Sequence, residues 1–234
     1  MAEANRYSLI VPARMVFAHL FTPQVWDEKL QKFRNPTSPD EDSWYDATFL
    51  VDASGQDFNT IASMAAAIYE ERTSPTADKR WLDKDGVVIP RSGVQLPWEQ
   101  GERYAAAKAA AGAEYDLSDF NGKMLLKAST KHAPPLAAVV DGREEEFPDL
   151  KRPLAEKFIF AGAVCFAEFD LQPYRKGNNA PGIKAYLGAV CAIAGLGSRI
   201  GNTKPAAARF NLTGYVGASA FTQAQEPAAA GGWR

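Results

Sequence analysis

Three lysines, Lys123, Lys127 and Lys131, recur at every fourth residue of FNGKMLLKASTKHAPP, with Leu125 and Ser129 between them. Residues two apart share one face of an extended chain. The spacing therefore predicts a strand with Lys123, Lys127, Ser129 and Lys131 on one side and Met124, Leu126 and Ala128 facing a core. At ~3.3 Å per residue the lysines span about 26 Å, the reach of several phosphates. Lys184 and Tyr186 are again two apart, opposite Ile183, Ala185 and Leu187, and Tyr174-Arg175-Lys176 joins a ring to two cations. An ammonium can neutralise a phosphate and an aromatic ring can stack on a base, at ~1–3 kcal/mol per base whatever the sequence. His132, in Lys131-His132-Ala133-Pro134, adds a donor for a phosphate or a base. A solvent face carrying lysines for solubility has the same spacing, so the lysine segment alone supports both readings.

Catalytic chemistry finds less to work with. His19 and His132 are the only histidines, and neither adjoins a nucleophile in the sequence. GxxxxGK[ST], HExxH and GxSxG are absent, which removes the usual signatures of phosphate cradling, zinc hydrolysis and acyl transfer. Asp40-Glu41-Asp42 and Glu144-Glu145-Glu146 are the acidic runs a metal-dependent nuclease would need. Both read instead as solvated charge in loops. Cys165 and Cys191 lie inside apolar runs and read as small core residues, without the spacing of a metal site. The sequence thus predicts no enzyme, no cofactor and no bound metal.

The net charge of −2 hides an asymmetry. Residues 1–150 hold 16 basic and 24 acidic side chains, whereas residues 151–234 hold 10 and 4. Between Asp170 and Glu226 no acid intervenes, while Arg175, Lys176, Lys184, Arg199, Lys204 and Arg209 all do. A basic face on a body kept soluble by acids suits a polyanionic partner. The opening MAEANRYSLIVPARMVF lacks the pattern of a signal peptide, and no apolar run approaches the ~20 residues that span a bilayer. The expectation is a cytoplasmic protein with no membrane partner.

Strands and one helix must position these residues. Tyr7–Phe21 reads as a strand bent at Pro12, and Trp44–Val51 alternates, with Tyr45, Ala47, Phe49 and Val51 on one face. Phe58, Ile61, Ala62, Ala65, Ile68 and Tyr69 recur at helical steps. Residues 74–118 read as an insertion of irregular chain with a short Ala-rich helix at Tyr104–Ala113. Further strands follow at Gly122–Ser129, Leu136–Val140, Lys157–Asp170 and Gly182–Ile193, with a charged loop at Gly142–Arg152. Residues 1–222 then form one domain, mainly β, and residues 223–234 a flexible tail. Strands of this number and spacing around a central helix, with long loop insertions, suit a five-stranded OB-type antiparallel barrel, a mixed α+β sheet being the alternative.

The order of these segments is familiar. PARMVFAHLFTPQ, WYDATFLVD leading into a helix, VVIPRSGVQLPWEQGE, FNGKMLLKASTKHAPPLAAVVD and FAGAVCFAEFDLQPYRKGNNAPGIKAYLGAVCAI follow one another as they do in one family. The chain resembles, from about Val11 to Leu196, the tailed-phage single-stranded-DNA-binding proteins with an OB fold, first catalogued as a domain of unknown function. The resemblance implies non-sequence-specific binding of single-stranded DNA in phage replication or recombination, alongside phage or host replication and recombination proteins, and no catalysis. It implies DNA-facing roles for Lys127, Ser129, Lys131, Tyr174, Lys184 and Tyr186. The chain departs from the family at Pro97-Trp98-Glu99, where Trp98 is itself a ring that could stack. It departs again at its end, EPAAAGGWR, which lacks an acidic tail. A virion or assembly protein and a metal-dependent nuclease are the alternatives from other classes.

Overall fold

The computed structural model describes residues 7–197, apart from 39, 75–80, 84, 86, 113–116 and 176–179. Its strands and α-helices run β1 (Ser8–Asp27), β2 (Lys32–Arg34), β3 (Trp44–Asp52), α1 (Gln56–Thr73), β4 (Trp98–Gln100), α2 (Gly101–Ala110), β5 (Lys123–Thr130), β6 (Leu136–Val140), β7 (Arg143–Glu146), β8 (Ala163–Tyr174) and β9 (Gly182–Gly197). β1 pairs antiparallel with β3 and β8, β3 with β5, and β8 with β9. The ring closes where β5 meets β9 in parallel, through Ala128↔Ala185 and Ser129↔Tyr186. The circuit β1-β3-β5-β9-β8 is the expected five-stranded OB-type barrel, and β2, β4, β6 and β7 extend its sheet.

Alternation along each strand fills the barrel. Val11, Ala13 and Met15, then Ala47, Phe49 and Val51, then Leu126 and Ala128 face inward from β1, β3 and β5. Cys165, Ala167, Phe169 and Leu171 from β8, and Ile183, Ala185 and Leu187 from β9, complete the lining, every one of these residues at most 7% exposed. Phe49 and Phe169 meet edge to face across the centre, 5.2 Å apart. Ile61, Ala65 and Ile68 of α1 join the same core, as the helical spacing predicts.

Four expectations change. Residues 74–101 are not simply irregular, because Trp81 is 1% exposed, packs on Tyr69 at 6.0 Å and anchors the segment, which ends in β4. The charged loop after β6 contains β7, an acidic edge strand joined to β6 through Asp141 and Gly142, both at positive φ. That pair makes the two-residue turn of a hairpin. The strand expected from Lys157 starts at Ala163, because residues 149–157 form a 3₁₀ helix and the Gly162 amide turns back to the Met15 carbonyl. The Ala-rich helix begins at Gly101, three residues earlier than expected, where the chain passes so close to the Phe120 carbonyl that a Cβ would lie 2.0 Å from its oxygen. The tail, 223–234, lies outside the described residues.

Candidate nucleic-acid interface

With Ala47, Phe49 and Val51 turned inward, β3 puts Trp44, Asp46 and Thr48 on the outside of the barrel. β9 likewise turns Ile183, Ala185 and Leu187 in and leaves Lys184 and Tyr186 out. Register then assembles a patch from three strands: Ser129 stands beside Asp46 on one side and beside Tyr186 on the other. The Lys184 ammonium lies 3.5 Å from the Trp44 ring centroid and 4.9 Å from that of Tyr186, and Lys131 Nζ is 5.0 Å from Trp44. A cation over an aromatic face is attracted by the ring quadrupole, so Trp44 orients both lysines. Burial between the rings pushes the Lys184 ammonium below the ordinary lysine range; Asp42 opposes that shift and Lys131 adds to it.

The lysine ladder sits largely where the spacing places it. Leu126 and Ala128 are buried in the barrel while Lys127 is exposed, and Lys131 falls just past the end of β5. Yet the ladder is not a bare row of positive charge. Lys123 pairs with Asp52 at 3.5 Å, Lys127 with Glu99 at 2.6 Å and Lys131 with Asp42 at 2.8 Å. Leu125, expected on the open face, is 0% exposed, because Val16, Leu50 and Phe120 close over it with Tyr104 of α2. The outer face of β5 is therefore covered at its centre and ion-paired along its length.

The remaining candidates divide. Tyr174 lays its ring over Gly182, its partner on β9, and its hydroxyl donates to Gln95 Oε1 at 2.7 Å. Burial raises its phenol above the ordinary tyrosine value. Arg175 donates from Nη1 to the Leu82 carbonyl at 3.1 Å. Both side chains are thus tied to the 81–97 segment instead of projecting from a hairpin tip. His132 is exposed beside Lys131, and Lys176 lies outside the described residues. Trp98 is half-buried against Phe58, with ring centroids 5.5 Å apart and at right angles, which removes it from the open face.

Two outer-face residues escaped sequence reasoning. Trp44 opens the alternating strand, and its parity with Asp46 and Thr48 puts it opposite the core-facing set. His19 lies on the outside with Nδ1 3.2 Å from Asp46. That hydrogen bond raises its pKa, burial opposes the rise, and the charge of Asp46 adds to it.

The acidic runs have other work. Glu41 accepts two hydrogen bonds from Arg34 and is held down to about 2 chiefly by that guanidinium, while Asp42 holds Lys131. Among the described residues no group of three or more His, Cys, Asp or Glu is placed to hold a metal ion. Cys165 is buried in the barrel, where desolvation and then Cys191 push its thiol up to about 12. Cys191 pairs with Phe166 on the opposite face of the sheet, so adjacent strands do not bring the two sulfurs together as a disulfide.

Solved structures share this barrel. The single-stranded DNA-binding protein from bacteriophage Enc34, in a structure described as a complex with ssDNA, superimposes with a TM-score of 0.55 at 12% identity over 84% of this chain and 89% of that one. A C-terminal truncation of the same phage protein gives 0.53 at 14% identity, over 80% and 85%. No protein-family model matches the chain, and no curated protein matches it by sequence. At these identities the likeness is one of fold: an OB-type barrel with the same extent.

Proposed function

We propose that this protein binds single-stranded DNA without sequence preference, through the outer face of β3, β5 and β9. One observation carries the reading: Lys184 is held between Trp44 and Tyr186 on the exposed side of the barrel. A cation fixed between two rings offers a phosphate its charge and offers bases two stacking surfaces, the combination that holds single strands regardless of sequence. The position on the barrel agrees, since OB folds use the face of their second and third strands, here β3 and β5, for oligonucleotides. The phage protein of like fold is described in complex with ssDNA, which supports the same partner. Lys127, Ser129, Lys131 and His132 border the patch and line the path for the phosphate backbone. Lys123 lies beyond the covered centre of β5, and Tyr174 and Arg175 are tied to the 81–97 segment. The binding protects single strands exposed in phage replication or recombination, in the host cytoplasm, and involves no catalysis.

Fluorescence anisotropy of labelled oligo-dT at several salt concentrations tests the proposal. Trp44→Ala and Tyr186→Ala should each weaken binding by roughly 5- to 150-fold, from ~1–3 kcal/mol per stacked base, with the salt slope preserved. Lys184→Ala should weaken it and make the slope shallower by about 0.7. No affinity of the wild-type protein for oligo-dT at low salt would refute the function outright.

A further inference from the structure

Past the irregularity between His19 and Gln24, β1 runs out of the barrel. From Val25 onward it pairs only with β2, through Val25↔Arg34, Trp26↔Phe33 and Asp27↔Lys32. The hairpin so formed, residues 24–34, exposes three large apolar side chains: Trp26 at 45%, Leu30 at 57% and Phe33 at 60%. Trp26 and Phe33 meet edge to face with centroids 5.0 Å apart. That arrangement leaves ring faces open, and rings of this size outside a core call for a ligand.

The base of the hairpin is braced. Arg34 donates to both oxygens of Glu41 at 2.9 Å and to Asp27 at 3.1 Å. Asp27 also accepts the Lys29 and Leu30 amides, both at 3.0 Å, and Gln24 donates to Asn35 at 2.8 Å. A hairpin fixed in this way loses little freedom when something docks on it.

Register places the hairpin beside the Trp44 patch. Gln24 stands opposite Trp44, so Trp26, two residues further along the same strand face, is the diagonal neighbour of Trp44. Such neighbours lie about 7–8 Å apart, within reach of one another's rings. Trp26 and Phe33 thus continue the face on which Trp44, Lys184 and Tyr186 already lie. Lys29, exposed in the turn beside Glu28, lies close to them, while Lys32 stands opposite Asp27 on the other face of the hairpin. We propose that the 24–34 hairpin is a second stacking subsite for the unpaired bases of a single strand, in line with the Trp44 patch. This rests on the proposed function and adds to it: the strand leaves the barrel along the hairpin, and the footprint is longer than the barrel face alone.

The test is a length series of oligo-dT against the full chain and the Trp26→Ala/Phe33→Ala variant, with the Lys184→Ala variant alongside. Oligonucleotides short enough to occupy only the Trp44 patch should bind both wild type and hairpin variant equally. Beyond a threshold length the hairpin variant should fall behind by about 5- to 150-fold per lost stacked base, and Trp26→Phe should recover most of that loss. Lys184→Ala should lose affinity at every length. If wild type binds and the hairpin variant matches it at all lengths, the Trp44 patch stands and the hairpin subsite is overturned. An equal loss at all lengths overturns the in-line arrangement. If wild type binds no oligo-dT at low salt, the function itself fails and the subsite with it.

Discussion

Asp42→Asn combined with Glu99→Gln should tighten DNA binding and steepen its salt dependence. Lys131 and Lys127 are held by these two carboxylates at 2.8 and 2.6 Å. A phosphate that captures either lysine must displace its acid. The freed carboxylate then gathers cations of its own, which offsets those released from the DNA. An unpaired lysine on a single strand contributes about 0.7 to the slope of log K against log salt, and an ion-paired one contributes close to nothing. Neutralising both acids should therefore steepen the slope by up to ~1.4. Exposed pairs are worth ~0.2–1 kcal/mol, so each substitution should also raise affinity by about 1.4- to 5-fold at low salt.

Oligo-dT anisotropy between about 50 and 200 mM salt resolves both effects. Glu144→Gln/Glu146→Gln on the acidic edge strand β7 is the control, since it changes net charge equally while leaving the lysines paired. If the Asp42/Glu99 variant behaves like that control, with equal slope and equal affinity, Lys127 and Lys131 do not meet the phosphates and the reasoning is refuted.

Two further outcomes test the supporting structure. Gly182→Ala would place a Cβ 2.4 Å from the Tyr174 ring, so Tyr174 must swing away and give up Gln95, and urea unfolding should show a loss of ~1–3 kcal/mol that Tyr174→Phe reproduces only in part. His19 has its pKa raised above 6.5 by Asp46, so the stabilisation is full below 6.5 and disappears as pH rises through the folded value; the stability gap between wild type and Asp46→Asn should close over that window, and the NMR titration of His19 in the variant should fall back toward 6.5.

Periodicity carried much of the fold. The parity of Ile183, Ala185 and Leu187 against Lys184 and Tyr186 is readable because alternation in a half-buried strand is a local property, and the same holds for Phe49 in β3 and Ile61 in α1. Asp141-Gly142 was equally local and still went unread as a hairpin turn, because the glutamates after it resembled a solvated loop. What the sequence could not supply were partners across the barrel. Glu99 reaches Lys127 only because β4 pairs with β5 beside it, and Trp44 meets Lys184 only because β5 closes onto β9. Leu125 shows the same limit in reverse. Its strand parity is with the lysines, but α2 and the 118–120 turn pack over it, and nothing within the strand announces that cover.

The basic excess after Asp170 and the cation–ring cluster of the structure both single out β9, on different grounds. Among the described residues of that stretch the cations are Arg175, spent on the Leu82 carbonyl, and Lys184, held between rings. Arg199, Lys204 and Arg209 lie outside the described residues. On the barrel face itself Lys123, Lys127 and Lys131 each carry a carboxylate. A surface with its lysines already neutralised gains little from charge alone, so a polyanion without stackable faces has little to bind. A single strand has those faces, and its bases can repay the displacement of Asp42 and Glu99 at Trp44 and Tyr186. On the proposed function, aromatic contact would supply the affinity and the paired lysines would set the register of the backbone. A measured salt slope well below about 0.7 for each lysine on the face is the signature that this division of labour requires.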